Sequence, residues 1–264
     1  MKEQAVALAR QRANPADRLN VLREYLQACV LRSLHESEAF TALSFLGGTA
    51  LRFLFGLPRF SEDLDFSVEH PTRYHLKKWL GKLKRDLTFA GFNVSIVLNA
   101  EKTVHTGWVK IAGLLKEIGV AGRQEQNISV KIEVDTNPPR GAQLVTTVVN
   151  KYFLIALQHH DLPSLMAGKI CALCARNYTK GRDFYDLFWY RAQRPPVEPN
   201  LVHLDAALQQ LATTPWPASA WKTHVLAKVH AVDWDQIITD VAPFLENPQE
   251  KALLTVPLFE TLLK

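Results

Sequence analysis

Residues 45–68, FLGGTALRFLFGLPRFSEDLDFSV, constrain this chain more tightly than any other part of its sequence. Gly47-Gly48-Thr49 follows a short apolar lead-in, Phe45-Leu46, and a helical run over 50–55 stops near Gly56. Pro58 forces an extended path, and 63–68 reads as a strand. Alternate side chains of a strand share a face, so Asp63 and Asp65 project together while Leu64 and Phe66 point to a core. Two carboxylates one pleat apart suit a hard, oxygen-seeking cation such as Mg²⁺. Cations clamped in this way activate an attacking hydroxyl and neutralise a leaving pyrophosphate. An isolated Asp-x-Asp is most often a pair of surface acids, but the Gly-Gly-Thr turn before it changes the odds. Glycines let a backbone approach phosphate oxygens closely, and a helix N-terminus adds unpaired N–H groups and a favourable dipole.

The surrounding pattern predicts an α+β fold. Residues 18–35 carry Leu19, Leu22, Leu26, Val30 and Leu34 at helical spacing, with Asp17 in the N-cap position. Residues 74–90 are helical in pattern, and 93–98, 104–115 and 128–136 are β-rich. The polar run 122–127 reads as a hairpin connection between the last two. Pro138-Pro139 closes that region, and 144–149 has the composition of one more strand. From Leu162 onward the chain turns helical through LPSLMAGKICALCAR and GRDFYDLFWYRA. After the stiff break PPVEP at 195–199 come helical segments at 201–211 and 235–246. The expected organisation is a mixed sheet with flanking helices over 1–160 and a helical domain over 161–264.

Further candidates follow from spacing. ISVKIEVDT, 128–136, puts Lys131, Glu133 and Asp135 on one strand face and Ile132 and Val134 on the other. That face offers a third carboxylate, although an edge strand with a solvated charged face has the same spacing. Lys169 and Arg176 share a helix face, and Arg182 and Asp186, four apart, are placed to pair. Cys171-x-x-Cys174 has zinc-like spacing, but it lacks a second ligand pair and lies within a helix. His159-His160 reads as a polar cap before the next helix. Trp189, Trp216, Trp221 and Trp234 read as packing residues. Arg10, Arg12, Lys77, Lys78, Lys82, Lys84 and Arg85 can grip RNA phosphates, but a solvated face is the favoured reading for most of them. A net charge of +5 permits a polyanionic partner without requiring one. Three cysteines and an N-terminus without an apolar signal core point to a reducing, cytoplasmic location. Apolar stretches such as 153–157 are too short to cross a bilayer.

These segments together resemble a known family. GGTALRFLFGLPRFSEDLDF is similar to the GGTxLxxxxGxxRxSxDxDF motif of AbiEii/AbiGii abortive-infection toxins, within the DNA-polymerase-β-like nucleotidyltransferase superfamily. Every fixed letter is present, with Arg59 and Ser61 at the Arg and Ser positions. Lys131 and Glu133 match the family's second motif, which places Glu133 ahead of Asp135. LMAGKICALCARNYTKGRDFYDLFWY resembles its later motifs. The resemblance implies Mg²⁺ or Mn²⁺ held by Asp63, Asp65 and Glu133. It implies an NTP bound by Gly47, Gly48, Thr49, Arg59, Ser61, Lys169 and Arg182, with Lys169 on the triphosphate. Asp186, ahead of Asp183, is the essential acid of the last motif. The activity implied is NMP transfer to an acceptor hydroxyl, RNA and in particular the tRNA 3′ end, which stops translation. A neighbouring antitoxin counters it, in many cases without a stable complex. Nucleotidyl transfer to a protein or small molecule is the alternative chemistry, and a catalytically silent binding protein is a further one.

Overall fold

The computed structural model describes residues 1–121, 126–176, 178–211 and 216–264. The chain divides into two units. The first comprises Met1–Gly56, Phe60–Asn137 and Thr146–His159, and the second Leu57–Arg59, Pro138–Val145 and His160–Lys264.

The first unit begins with α1 (Lys2–Arg10) and α2 (Pro15–Glu36), which pack on each other. Asn14 caps α2, its side chain accepting from the Asp17 amide at 2.7 Å. Pro15 supplies a pre-set φ and has no N–H to leave unsatisfied. The helix therefore starts earlier than its apolar spacing suggests, and Asp17 lies in the first turn rather than at the cap.

Next come β1 (Leu43–Leu46), α3 (Gly47–Phe55), β2 (Asp63–Val68) and α4 (Leu76–Phe89). Gly56 ends α3 in the left-handed region at φ 71°, a helix stop that glycine accepts at little cost. β3 (Asn93–Asn99) and β4 (Val104–Ala112) follow. Leu114 and Leu115, read from sequence as strand, instead enter a short helix, α5 (Leu114–Glu117), because Gly113 at φ 84° breaks the strand. The expected connection at 122–127 lies mostly outside the described residues. β5 (Asn127–Asp135), β6 (Leu144–Asn150) and β7 (Leu154–His160) complete the strands.

Among the described residues the sheet has seven strands in the order β3-β4-β5-β2-β1-β7-β6. β2 runs antiparallel to β1 and parallel to β5, and β4 is antiparallel to both β3 and β5. Leu64, Phe66, Ile132 and Val134 are buried, and α2 packs against β5. This burial fixes the register, since a slip of one residue would turn the apolar set outward.

β7 was hidden in the sequence, where its two histidines read as a cap. His159 and His160 are instead buried at the strand's end. His159 Nε2 lies 2.9 Å from the Thr147 hydroxyl, and His160 meets His203 edge-on. The cap of the next helix is Asp161, which accepts from the Ser164 amide at 2.9 Å.

The second unit is built on α6 (Leu162–Ala175), α7 (Gly181–Ala192), α8 (Leu201–Gln210), α9 (Trp221–Ala231), α10 (Trp234–Val241) and α11 (Val256–Leu262). α6 packs on α7, α8 and α9, and α7 on α10 and α11. A Cβ on Gly181 would overlap the Ile237 carbonyl oxygen, so glycine lets α7 start against the α10 backbone. No helix among the described residues is long and apolar enough to cross a membrane.

Candidate active site

In the first unit the acidic residues meet through strand register. Parallel pairing of β2 with β5 sets Asp65 opposite Glu133 and Asp63 opposite Lys131. All four side chains are half-buried, while the intervening Leu64 and Ile132 are sealed in the core. Lys131 Nζ lies 2.7 Å from Glu133 Oε1 and 5.5 Å from the centroid of Trp108, its cross-strand neighbour on β4. Burial would lower the Lys131 pKa, but Glu133, Asp63 and Asp65 outweigh it and hold it above its usual value. Three carboxylates and one ammonium thus share one charged face. Asp135 falls opposite Ser67, one pleat beyond, and accepts from the Asn137 amide at 2.9 Å.

The Gly-Gly-Thr turn lies directly against this face. Gly47 has φ 78°, and a Cβ there would overlap Asp65 Oδ2. Glycine is therefore required twice, by the backbone conformation and by the carboxylate above it. Thr49 is fully enclosed and donates its hydroxyl to the Asp63 carbonyl, tying α3 to β2. Its side chain is committed to the fold, so what it can offer a phosphate is its backbone N–H. No side chain caps the start of α3, whose first amides point away from the helix without intrahelical partners.

A buried scaffold supports the turn. Gln27 of α2 donates to the Ser61 and Glu62 carbonyls at 3.0 and 2.9 Å, and Arg23 reaches Glu62 at 3.4 Å. Glu24, also on α2, pairs with Arg52 of α3 and accepts from Lys151 at 3.0 Å and Tyr152 at 2.7 Å. Burial would raise the Glu24 pKa, and Arg52 with Lys151 keeps it below its usual value.

The second unit holds a denser network. Arg59 and Asp186 form a two-pronged pair, Nε to Oδ1 and Nη2 to Oδ2, both at 2.6 Å. Arg59 is 2% exposed and Asp186 is fully enclosed. Lys169 lies 2.9 Å from Asp186 and 3.0 Å from Asp183, which also binds Arg176. Burial pushes the Asp186 carboxyl up, but Arg59 and Lys169 hold it below its usual value. Burial likewise works to lower the Lys169 pKa, and Asp183 and Asp186 raise it above normal. The Arg182 guanidinium lies over Phe244, 4.2 Å from the ring centroid.

The family model described as nucleotidyl transferase AbiEii toxin, type IV toxin–antitoxin system, matches residues 29–264. This chain belongs to the AbiEii family. No curated protein matches it. A candidate nucleotidyltransferase from Helicobacter pylori has a similar crystal structure, with a TM-score of 0.54 at 19% identity over 91% of this chain and 92% of that one. JHP933 from Helicobacter pylori is also similar, with a TM-score of 0.50 at 20% identity over 92% and 91% of the two chains. These likenesses concern the fold. The AbiEii-family protein is a nucleotidyltransferase, and its type IV system implies a cognate antitoxin.

In this AbiEii-family chain the structure brings Asp63, Asp65, Glu133, Gly47 and Thr49 together. It separately gathers Arg59, Lys169, Asp183 and Asp186 within the second unit. Arg59, read from sequence as a nucleotide ligand, has its guanidinium fork committed to Asp186. Among the described residues no three His, Cys, Asp or Glu side chains are grouped closely enough to ligate one ion. The donor chemistry nevertheless fits a hard divalent cation, because all three candidate side chains are carboxylates on one face in adjacent register.

Sequence reasoning missed Glu24 and Gln27, whose signal is a polar residue inside the apolar stripe of a helix. It also missed Gly181 as a packing glycine. Cys171 and Cys174 are free, their thiols pushed up to about 11 and about 12, mainly by burial. Lys82 of the basic set pairs with Asp86 at 2.6 Å, and Arg10 donates to the Glu117 carbonyl.

Proposed function

We propose that this AbiEii-family protein moves a nucleoside monophosphate from an NTP to a hydroxyl of RNA, the 3′ end of tRNA, and so halts translation when its antitoxin does not restrain it. The observation carrying this reading is the register of Asp65 with Glu133 beside Gly47. It supplies an acidic face for a cation and a Cβ-free backbone for phosphate oxygens at one place.

Asp63, Asp65 and Glu133 would hold Mg²⁺ or Mn²⁺. Such a cation activates the attacking hydroxyl and offsets the charge of the departing pyrophosphate. The amides of Gly47, Gly48 and Thr49 at the start of α3 are the natural donors to the triphosphate. Ser61 lies on the loop that Gln27 fixes before β2. In the reaction the acceptor oxygen bonds to the α-phosphorus, the α–β phosphoanhydride bond breaks, and the hydroxyl proton is lost to solvent or to a carboxylate. Asp63 and Asp65 position the reacting groups, and Lys131 balances the face when nothing else does. We assign Lys169, Arg182 and Asp186 to the activity on their motifs. A tRNA acceptor and free cysteines are consistent with a cytoplasmic location.

Incubation with Mg²⁺, each labelled NTP and total bacterial RNA tests this reading against an Asp63→Ala/Asp65→Ala control. Label entering RNA with the intact protein alone is expected. Label on protein or on a small molecule, or no label on any acceptor, overturns the RNA-directed reading.

A further inference from the structure

The second unit contains a cavity of about 190 Å³ that the assignments above do not use. Arg176, Tyr178, Thr179, Lys180, Asp183 and Lys228 line it, contributed by the end of α6, the segment leading into α7, and α9. Its charge balance is unusual. Asp183 is the acidic residue among these, and both of its oxygens are already engaged, Oδ1 by Lys169 at 3.0 Å and Oδ2 by Arg176. Lys228 Nζ reaches the Arg176 carbonyl at 3.4 Å, a neutral partner. The half-buried Lys180 ammonium makes no hydrogen bond or ion pair among the described residues. Burial, followed by the nearby Arg182, depresses its pKa, with Lys169 and Arg176 adding to the effect against the pull of Asp183. A cluster of cations short of anions is costly unless an anion completes it. At the rim Tyr178 is 66% exposed, and the Arg176 guanidinium lies 5.8 Å from its ring centroid. An exposed ring beside a cationic cavity is the arrangement by which proteins hold a strand's phosphate and stack its base.

We propose that this cavity binds a backbone phosphate of the RNA strand, with Lys180 and Lys228 supplying the charge and Tyr178 the stacking surface. The inference rests on the RNA-directed reading for the identity of the strand. It makes the second unit a substrate-gripping element in its own right.

Fluorescence anisotropy with a labelled single-stranded RNA and no NTP tests it on the full chain. Lys180→Gln/Lys228→Gln should weaken RNA binding roughly tenfold. It should also flatten the dependence of log Kd on log salt by about 0.7, the loss of one neutralised phosphate. Lys228→Arg, which keeps the charge, should bind like the wild type, and Tyr178→Ala should weaken binding without changing the salt slope. Asp63→Ala/Asp65→Ala should bind RNA at least as tightly as the wild type while failing to label it. An unchanged RNA Kd and salt slope in the double variant overturns the inference. So does a raised KM for NTP with RNA binding intact, which would assign the cavity to the nucleotide. Failure of the wild type to label any RNA would count against the RNA-directed reading. The anisotropy comparison would still decide whether the cavity grips a strand.

Discussion

On β2 and β5, three half-buried carboxylates share a face with Lys131, whereas on α6 and α7 the Asp183 and Asp186 oxygens are held by cations and closed off from water. Both regions are built from aspartates and basic residues at motif positions. What separates them is burial and the number of partners. An acidic face that keeps some access to solvent can exchange its partner for an incoming cation at small cost. A buried two-pronged Arg–Asp pair cannot exchange partners without exposing charge to a low-dielectric interior. The first region keeps partial access to solvent, while the Asp183 and Asp186 carboxylates of the second are enclosed by their cationic partners.

The largest expected effect separates the two regions directly. Asp65→Ala should lower RNA labelling by roughly 10³-fold or more, yet change unfolding free energy by only about 0.5 kcal/mol. A large loss of stability would show that the face is structural and break the comparison. Next, Asp186→Ala removes the two-pronged partner of the buried Arg59 and one of the two carboxylates at Lys169, and should cost about 3–5 kcal/mol in urea unfolding. A cost below about 1 kcal/mol with activity abolished would make Asp186 a chemical group rather than a clamp.

Gly47→Ala is the third in size. The new Cβ displaces the Asp65 carboxylate, and a shift of that kind should reduce transfer by roughly 10²-fold, read from labelling rates at saturating NTP. The smallest effect is in acid. The Asp186 pKa lies below its ordinary value of 3.8. Its contribution to stability is therefore complete above that value and is lost as pH falls through the folded value. Unfolding free energies measured down this range should fall less steeply for Asp186→Asn than for the wild type. Equal slopes would place the pH dependence elsewhere, in carboxylates such as Glu24.

The acidic face was legible in the sequence because it is written locally. Asp63, Asp65, Lys131 and Glu133 keep a strict two-residue alternation with buried neighbours, and that period survives without any knowledge of the fold. The preference for Glu133 over Asp135 came from the family's second motif; that Glu133 falls opposite Asp65 and Asp135 opposite Ser67 depends on the pairing of β2 with β5, which no local pattern contains. The bond of Arg59 to Asp186 could not be read from sequence, because the partner is 127 residues away and a pairing over that distance leaves no periodic trace. β7 was obscured because His159 and His160, polar by type, are buried through Thr147, Phe55 and His203 rather than through apolar character. The cap of α2 was misplaced because Asn14 and Pro15 precede the apolar repeat that marks the helix.

The placement of Leu57–Arg59 in the second unit has a consequence for biosynthesis. The ribosome makes this fragment of the second unit while the first is still incomplete, and Asp186 emerges 127 residues after Arg59. At ordinary elongation rates the arginine waits roughly ten seconds for its partner. The carboxyl-terminal helices made alone would lack it altogether. A premature stop ahead of Asp186 therefore leaves Arg59 without this carboxylate, and a carboxyl-terminal fragment leaves Asp186 without this arginine.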